Sequence, residues 1–253
     1  MIDYLYDGTF EGLLTCIYRH YYSEKASGIF TEDSYQSSLL SRYRVIDTDA
    51  GQASKVYEAV DKKISSYDLR RIYKTFRSSA DEKEMKILRY VVMGFKRGSC
   101  ISMLHGDPVV FAVQQAEKKV GNEAHRLKGL LRFSVLRGGV FYSRVEPDND
   151  VLEFLAGHFC DRFRNDAFII HDIKRRKALV ARDGSWYISD MDTDAIPPAD
   201  AEEKEFRRLW RLYFNTTAIR ERTNPRCQKN FMPQRYWKNL TEMTCGPAGT
   251  DRR

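Results

Sequence analysis

One group of ionisable side chains in the middle of the chain combines the residue types needed for acid–base chemistry. It consists of Glu123, His125 and Lys128, and Arg132 follows four positions later. If the helix expected at residues 108–127 continues to Lys128, that side chain lies one turn from His125 on the same side. A carboxylate, an imidazole and an ammonium group could then converge at the end of a sheet. Glu123 and His125 are therefore candidate catalytic residues, and the alternative is a structural role for both.

A second candidate pair, His171 and Asp172, stands at the end of an apolar run and precedes the basic residues of 174–177. Histidine changes its charge near neutral pH, and a carboxylate beside it could assist proton transfer. The same residues are equally typical of a hydrogen-bonded histidine at a sheet edge, followed by a charged hairpin loop. The sequence leaves both readings of this pair open.

Basic and aromatic residues are interleaved near the C-terminal end of the chain. Nucleic-acid phosphates attract lysine and arginine, and unstacked bases lie on aromatic rings. The candidate nucleic-acid-binding residues are Arg220, Arg222, Arg235, Tyr236, Trp237 and Lys238, together with Lys128 and Arg132. The alternative is that the C-terminal segment packs across the body of the protein, with Trp237 and Leu240 as anchors. The two roles are compatible.

The distribution of charge favours a polyanionic partner. The formal net charge is +7, yet residues 1–202 contain 30 basic and 30 acidic side chains, whereas residues 203–253 contain 12 basic and 5 acidic ones. The whole positive excess therefore lies in the last part of the chain. A localised basic segment is typical of proteins that bind DNA through its phosphates. A solvated helix face followed by a basic tail would give the same counts.

Several classes of protein are disfavoured by what the sequence lacks. It has no run of about 20 apolar residues and no signal-peptide pattern after Met1, so we expect a cytoplasmic protein that does not enter a membrane. Its five cysteines form no Cys-x-x-Cys pair, and its five histidines do not have metal-site spacing. Motifs for phosphate loops, dinucleotide binding, serine hydrolases and radical-generating iron–sulfur clusters are absent. The sequence predicts neither a metal nor a cofactor bound by this chain.

The spacing of apolar residues predicts a largely helical N-terminal half. Helices are expected at residues 9–22, 52–65, 67–77, 81–96 and 108–127, and short strands at 2–6 and 43–46. Thr9 is the expected N-cap of the first helix.

The second half predicts an antiparallel sheet of two hairpins with covering helices. Gly138-Gly139 and Asp183-Gly184 are the expected turns, and a helix follows Asp148. The expected strands are 131–136, 140–145, 168–171, 178–181 and 186–188. A last amphipathic helix over about 200–215 carries Phe206, Leu209, Trp210 and Tyr213. The predicted fold class is α+β, with a basic C-terminal tail.

Two regions are expected along the chain. Residues 1–200 would form an α+β body, which could contain a helical insertion at about 51–106. Residues 201–253 would form a C-terminal helix and a basic DNA-contacting segment.

Six segments, taken in order, resemble an uncharacterised bacterial family described as DNA metabolism or DNA repair proteins, and the resemblance covers essentially the whole chain. The segments are Tyr6–Thr15, Lys128–Phe133, Glu146-Pro147, His158-Phe159 with Arg162-Phe163, Ile169–Asp172 and Met232–Lys238. The resemblance implies association with a DNA-modification or repair radical-SAM protein encoded alongside, and in some relatives fusion to a uracil-DNA-glycosylase-like domain. Tyrosine often stands at the position of His171 in that family, which weakens any mechanism that needs the imidazole.

These observations lead to one hypothesis and two alternatives. The hypothesis is a DNA repair or modification protein that binds DNA and positions the substrate for a radical-SAM enzyme. The first alternative is an independent nuclease or glycosylase-like enzyme that uses Glu123 and His125. The second is an accessory protein of RNA modification.

Overall fold

The computed structural model of the chain describes residues 2–36, 42–192, 200 and 202–243. The chain divides into two compact units, Met1–Gly121 and Asn122–Arg253. The division predicted from the sequence, into residues 1–200 and 201–253, remains a prediction. Residues 244–253, the last part of the predicted basic segment, lie outside the described residues.

A small parallel sheet organises the first unit. Its strands are β1 (Ile2–Tyr6), β2 (Ala26–Thr31) and β3 (Arg42–Val45), in the order β2-β1-β3. The first and third strands were predicted, whereas the Ser- and Gly-containing β2 was not. Parallel neighbours require a crossover connection, and α1 (Phe10–Tyr22) provides it between β1 and β2.

Local chemistry explains why α1 begins where it does. Gly8 has a φ of +77°, a conformation that glycine adopts without strain. The next residue, Thr9, accepts a hydrogen bond from the backbone N–H of Gly12 and is the predicted N-cap. Leu13 and Ile17, four positions apart, are both buried against the sheet and its neighbouring helices.

The rest of the first unit is helical, as predicted. The elements are α2 (Ala50–Lys63), α3 (Ser66–Phe76), α4 (Lys83–Arg97), a 3₁₀ helix at Gly98–Met103 and the first part of α5 (Pro108–Leu130). Their inward faces form one apolar core that includes Val56, Ile72, Ile87, Val91 and Val110.

A buried polar cluster links three of these helices. Nη1 of Arg71 donates to Asp68 at 2.9 Å and to the Tyr90 hydroxyl at 2.8 Å, and Nε of Arg71 donates to Glu117 at 2.9 Å. Removal of Arg71 would leave the buried Asp68 carboxylate without the guanidinium that neutralises it, which is costly. The cluster is therefore a structural feature of the helical core.

The second unit contains a five-stranded sheet in sequential order. Its strands are β4 (Ser134–Val135), β5 (Phe141–Val145), β6 (Phe168–Asp172), β7 (Lys177–Arg182) and β8 (Ser185–Asp190). The two predicted turns are present, and both glycines of Gly138-Gly139 have positive φ angles. The mixed α and β content agrees with the predicted fold class.

One strand pair corrects the prediction of an antiparallel sheet. β5 and β6 are parallel, with Phe141 opposite Phe168 and Val145 opposite Asp172, whereas the other pairs are antiparallel. The reason is the connection: α6 (Leu152–Arg162) carries the chain back along the sheet before β6 begins. Leu155 and Phe159 of α6 are buried.

The C-terminal part of the second unit is helical. It comprises α7 (Glu203–Thr217), a 3₁₀ helix at Arg220–Arg222, α8 (Pro225–Phe231) and a 3₁₀ helix at Gln234–Asn239. α7 corresponds to the predicted last amphipathic helix. Among the described helices, none combines the length and the apolar character needed to cross a membrane.

Candidate nucleic-acid interface

A pocket of about 510 Å³ in the second unit combines cations with aromatic rings. We call it the basic-aromatic pocket. Its lining includes Lys128, Arg132, Arg162, Arg207, Phe133, Phe141, Phe159, Phe163, Phe206 and Trp210. The size lies within the range of sites that hold a nucleotide or another small molecule. Helices α5, α6 and α7 each contribute part of the lining, together with the segment before β4.

The four cations of this pocket differ in their partners. Arg132 is paired with Glu242 at 2.6 Å, and Arg207 is paired with Glu203 at 2.7 Å. Within the described part of the chain, Lys128 and Arg162 form no ion pair. The pocket therefore carries two positive charges that an anionic ligand could neutralise.

Glu242 holds two pocket residues in place. Its carboxylate accepts hydrogen bonds from Nε and Nη2 of Arg132 and from the indole N–H of Trp210 at 3.0 Å. Burial raises the pKa of the Glu242 carboxyl, but the Arg132 and Trp210 hydrogen bonds outweigh this effect, and the pKa lies below its ordinary value. The Arg132 guanidinium also lies 5.7 Å from the Trp210 ring.

The first turn of α7 is attached to the sheet through Glu203. This buried carboxylate accepts a hydrogen bond from the backbone N–H of Val135 at 3.0 Å and another from Arg207. Arg207 also donates to the Ser134 hydroxyl at 2.6 Å. These contacts fix the side of the pocket that α7 forms.

Aromatic rings form two sides of the pocket. Phe133 and Phe163, with ring centroids 4.7 Å apart, belong to a cluster of phenylalanines on the sheet side. Phe206 and Trp210 lie on α7 and are 58% and 40% exposed. One α-helical turn separates these two residues, so they present adjacent flat surfaces beside the unpaired cations. Such surfaces can stack on an unpaired base.

The predicted C-terminal binding residues mostly make contacts within the protein. Tyr236 and Leu240 are buried, and the Tyr236 hydroxyl donates to Glu123. Lys238 pairs with Glu146 at 2.7 Å, and the Trp237 indole N–H donates to the Met232 carbonyl at 2.8 Å. The segment therefore packs across the second unit. Its anchors are Tyr236 and Leu240, whereas Trp237 is only partly buried.

Glu123 is the acceptor at the centre of this packing. It accepts from the backbone N–H groups of Asp148 and Asn149, from the Asn149 side chain, from Tyr236 and from Arg235. Burial raises the pKa of the Glu123 carboxyl, but the hydrogen bonds from Tyr236 and the two backbone groups lower it more, so the pKa lies below its ordinary value. Arg235 also pairs with Asp148.

His125 lies apart from Glu123 in the structure. Glu123 is buried, whereas His125 is exposed, because residues two positions apart point to different sides of a helix. The structure thus does not bring the predicted acid and imidazole together. Lys128 and Arg132 instead contribute to the basic-aromatic pocket.

His171 and Asp172 are both fully buried at the end of β6. His171 lies 2.9 Å from the Tyr142 hydroxyl through Nδ1 and 3.0 Å from the Met191 carbonyl through Nε2. Asp172 accepts from the backbone N–H groups of Lys174 and Arg175 and pairs with the Arg175 side chain at 2.9 Å. Burial lowers the pKa of His171 and raises that of Asp172.

The remaining predicted binding residues lie on the 3₁₀ helix at Arg220–Arg222. Arg222 is exposed, whereas the side chain of Arg220 lies outside the described part. Nearby Arg226 and Lys229 of α8 are also exposed. This part of the chain presents positive charge at the surface.

Of the ten pocket residues named above, sequence reasoning offered only Lys128 and Arg132 as binding residues and missed the other eight. The apolar stripe of the last helix was visible in the sequence, but nothing local indicated which element it would face. Across the described ranges, the structure shows no group of three or more His, Cys, Asp or Glu side chains arranged to hold a metal ion.

Comparisons with known proteins place the chain in a family. Residues 81–242 match the family model DUF4130, described as a domain of unknown function, and the chain belongs to that family. No curated protein matches the chain. Among solved structures, a pGpG-specific phosphodiesterase, PggH from Vibrio cholerae, is similar with a TM-score of 0.35 and 8% identity. That alignment covers 86% of this chain and 100% of the other, and its similarity is too low to carry an argument.

Proposed function

We propose that this chain binds DNA in a repair or modification reaction and positions the substrate for a radical-SAM enzyme. The observation that carries the proposal is the basic-aromatic pocket, where Lys128 and Arg162 have no ion-pair partner among the described residues and Phe206 and Trp210 are exposed. The cations would neutralise phosphates, and the aromatic rings would stack on an unstacked base.

This combination favours single-stranded or locally opened DNA over an intact duplex. In a duplex the flat faces of the bases are covered by their neighbours, so exposed rings find nothing to stack on. In a single strand each base offers a free face, and stacking adds about 1–3 kcal/mol for each base. The exposed Arg222, Arg226 and Lys229 would contact the backbone beyond the pocket.

The radical-SAM partner is proposed from the family resemblance carried by segments such as Met232–Lys238. The Cys motif of a radical-generating cluster is absent from this sequence. A reaction of that kind would therefore take its reactive cofactor from another polypeptide. The cytoplasmic location is part of the same proposal.

The independent-enzyme alternative finds less support in the geometry. Both oxygens of Glu123 already accept hydrogen bonds from groups of the protein, and His125 lies on the other side of the helix. A general base must reach the proton that it removes. We therefore give Glu123 a positioning role for the C-terminal segment.

The test is the salt dependence of oligonucleotide binding. Fluorescence anisotropy with a labelled single-stranded DNA would be measured over a series of salt concentrations for the parent protein and for Lys128→Gln/Arg162→Gln. The slope of log K against log salt should become flatter by about 0.7 for each lost phosphate contact. Arg137→Gln/Lys174→Gln, which removes two exposed cations outside the pocket, is the matched control.

Two outcomes would overturn the proposal. One is equal loss of binding in the pocket variant and the control variant, which would indicate a diffuse electrostatic effect. The other is tighter binding to RNA than to DNA of the same sequence, which would favour the RNA-modification alternative. The partner is tested separately, by co-purification with the radical-SAM protein. Failure of the two proteins to co-purify would exclude the radical-SAM partner and leave the proposed DNA binding intact.

A further inference from the structure

β8 is an edge strand with an unusual surface. Within the described residues its only strand neighbour is β7, and all six of its residues are exposed. Trp186, Tyr187 and Ile188 are 41%, 61% and 36% exposed. Edge strands normally carry lysine, proline or a bulge that prevents pairing with another chain. Residues 185–189 contain none of these protections and no charge.

The hairpin geometry identifies the backbone groups that face outwards. Asp183 and Gly184, with φ angles of +50° and +76°, form a two-residue turn. Arg182 of β7 and Ser185 of β8, which flank this turn, are partners in the strand ladder. A two-residue turn closes on a hydrogen-bonded pair, and such pairs alternate along an antiparallel ladder. The N–H and C=O groups of Trp186 and Ile188 therefore point away from β7.

We propose that β8 pairs with β8 of a second copy of this chain, antiparallel and with Tyr187 opposite Tyr187. In this register Trp186 of each copy lies opposite Ile188 of the other. The outward backbone groups of these two residues then exchange hydrogen bonds, and the sheet continues through both copies. Self-association of this kind goes beyond the proposed DNA binding and does not depend on it.

The side chains fit this register. Trp186 and Ile188 form aromatic and β-branched cross-strand pairs, which stabilise antiparallel sheets. Tyr187 lies on the opposite face, where the two rings of the pair would meet. Ser185 lies opposite Ser189, so the interior of the pairing contains no buried charge.

Exposed charges at the two ends of β8 do not oppose this pairing. At the end of the strand, Asp190 lies opposite Lys177 of β7, and Asp192 lies 4.0 Å from Arg176. At its beginning, Arg182 lies 3.5 Å from Asp183. Each end therefore carries both signs of charge, and residues 185–189 between them carry none. Antiparallel pairing about Tyr187 relates the two copies by a two-fold axis, so both copies use the same surface and the contact closes as a dimer.

Cysteine cross-linking tests the register in the full-length protein. Cys100, Cys227 and Cys245 are first replaced by serine, since two of them are exposed and the third lies outside the described residues. In this background Tyr187→Cys should form a disulfide-linked dimer under mild oxidation. In the proposed pairing between copies, the two Tyr187 residues form a non-hydrogen-bonded pair. The Cα atoms of such a pair lie about 4.5 Å apart, within disulfide range. Ser185→Cys, opposite Ser189 in this register, is the control and should form little disulfide-linked dimer.

Sedimentation equilibrium tests the association without cysteine chemistry. The parent protein should show a concentration-dependent monomer–dimer equilibrium, and Ile188→Lys should weaken it by about tenfold or more. Tyr57→Lys, a charge placed at another exposed tyrosine, should leave it unchanged. A parent protein that is monomeric at every concentration, or equal cross-linking of the two cysteine variants, would overturn the proposal. DNA binding, measured as anisotropy, has no part in either result.

Discussion

The Tyr236 hydroxyl donates a hydrogen bond to Oε1 of Glu123, a residue 113 positions earlier in the chain. Both side chains are buried, and Arg235 donates to the same oxygen at 2.9 Å. The contact ties the C-terminal segment to α5, between one and two turns before Lys128 and the basic-aromatic pocket. A residue that the sequence offered as a catalytic acid thus serves to hold a residue offered as a base-stacking platform.

Removal of the Tyr236 hydroxyl should destabilise the second unit. Tyr236→Phe keeps the ring but removes one hydrogen bond to a buried carboxylate, at a cost of about 1.5–3 kcal/mol in the free energy of unfolding. Urea denaturation followed by tryptophan fluorescence measures the effect. Tyr43→Phe, at an exposed tyrosine, is the control and should change stability by less than about 0.5 kcal/mol. Equal stability of Tyr236→Phe and the parent protein would contradict this account of the contact.

Glu123 should make stability depend on acid pH. Since its folded pKa lies below the ordinary value of about 4.3, folding favours the charged form. The stabilisation is fully present above the ordinary pKa and is lost as pH falls through the folded pKa. Glu123→Gln should therefore lower stability at pH 7 and flatten the dependence between pH 5 and pH 2. Denaturation curves over that range provide the measurement. A pH profile of the variant that runs parallel to that of the parent protein would contradict the prediction.

His171 should make stability depend on pH in a higher range than Glu123 does. Burial lowers its pKa, so the folded state favours the neutral imidazole. This contribution to stability is present above the ordinary pKa of about 6.5 and is lost as pH falls towards the folded pKa. His171→Gln, which cannot titrate, should show a flatter profile just below pH 6.5. Observation of the imidazole by NMR gives a direct check: a folded pKa above 6.5 would reverse the sign and refute the prediction.

Trp210 and Trp237 should separate binding from stability. Trp210→Ala should weaken single-stranded DNA binding by about 1–3 kcal/mol, because an exposed ring beside the pocket cations is removed. Trp237→Ala should act mainly on stability, since this partly buried ring is hydrogen-bonded to Met232. Anisotropy titrations and melting temperatures for both variants provide the comparison. Intact DNA binding by a folded Trp210→Ala protein would exclude stacking on that ring and return attention to Trp237.

Short-range features of this fold could be predicted from the sequence because neighbouring residues decide them. Thr9 caps α1 through its own side chain, and Asp183-Gly184 forms a turn through its own backbone conformation. Apolar residues repeating at helical spacing gave the helices of the first unit, since one face of each helix must be buried. The α+β class follows from the same local patterns.

Only the tertiary structure decided which of these elements meet. Two hairpins separated by a helix are compatible with either direction of β5 relative to β6, and the path of α6 makes this pair parallel. Glu123, His125 and Lys128 look like one group in the sequence, but the turn of a helix buries Glu123 and exposes His125. Trp210 lines the pocket, where Glu242, thirty-two positions later, accepts its N–H. Contacts over such separations depend on the packing of the whole unit, and no local pattern of residues encodes them.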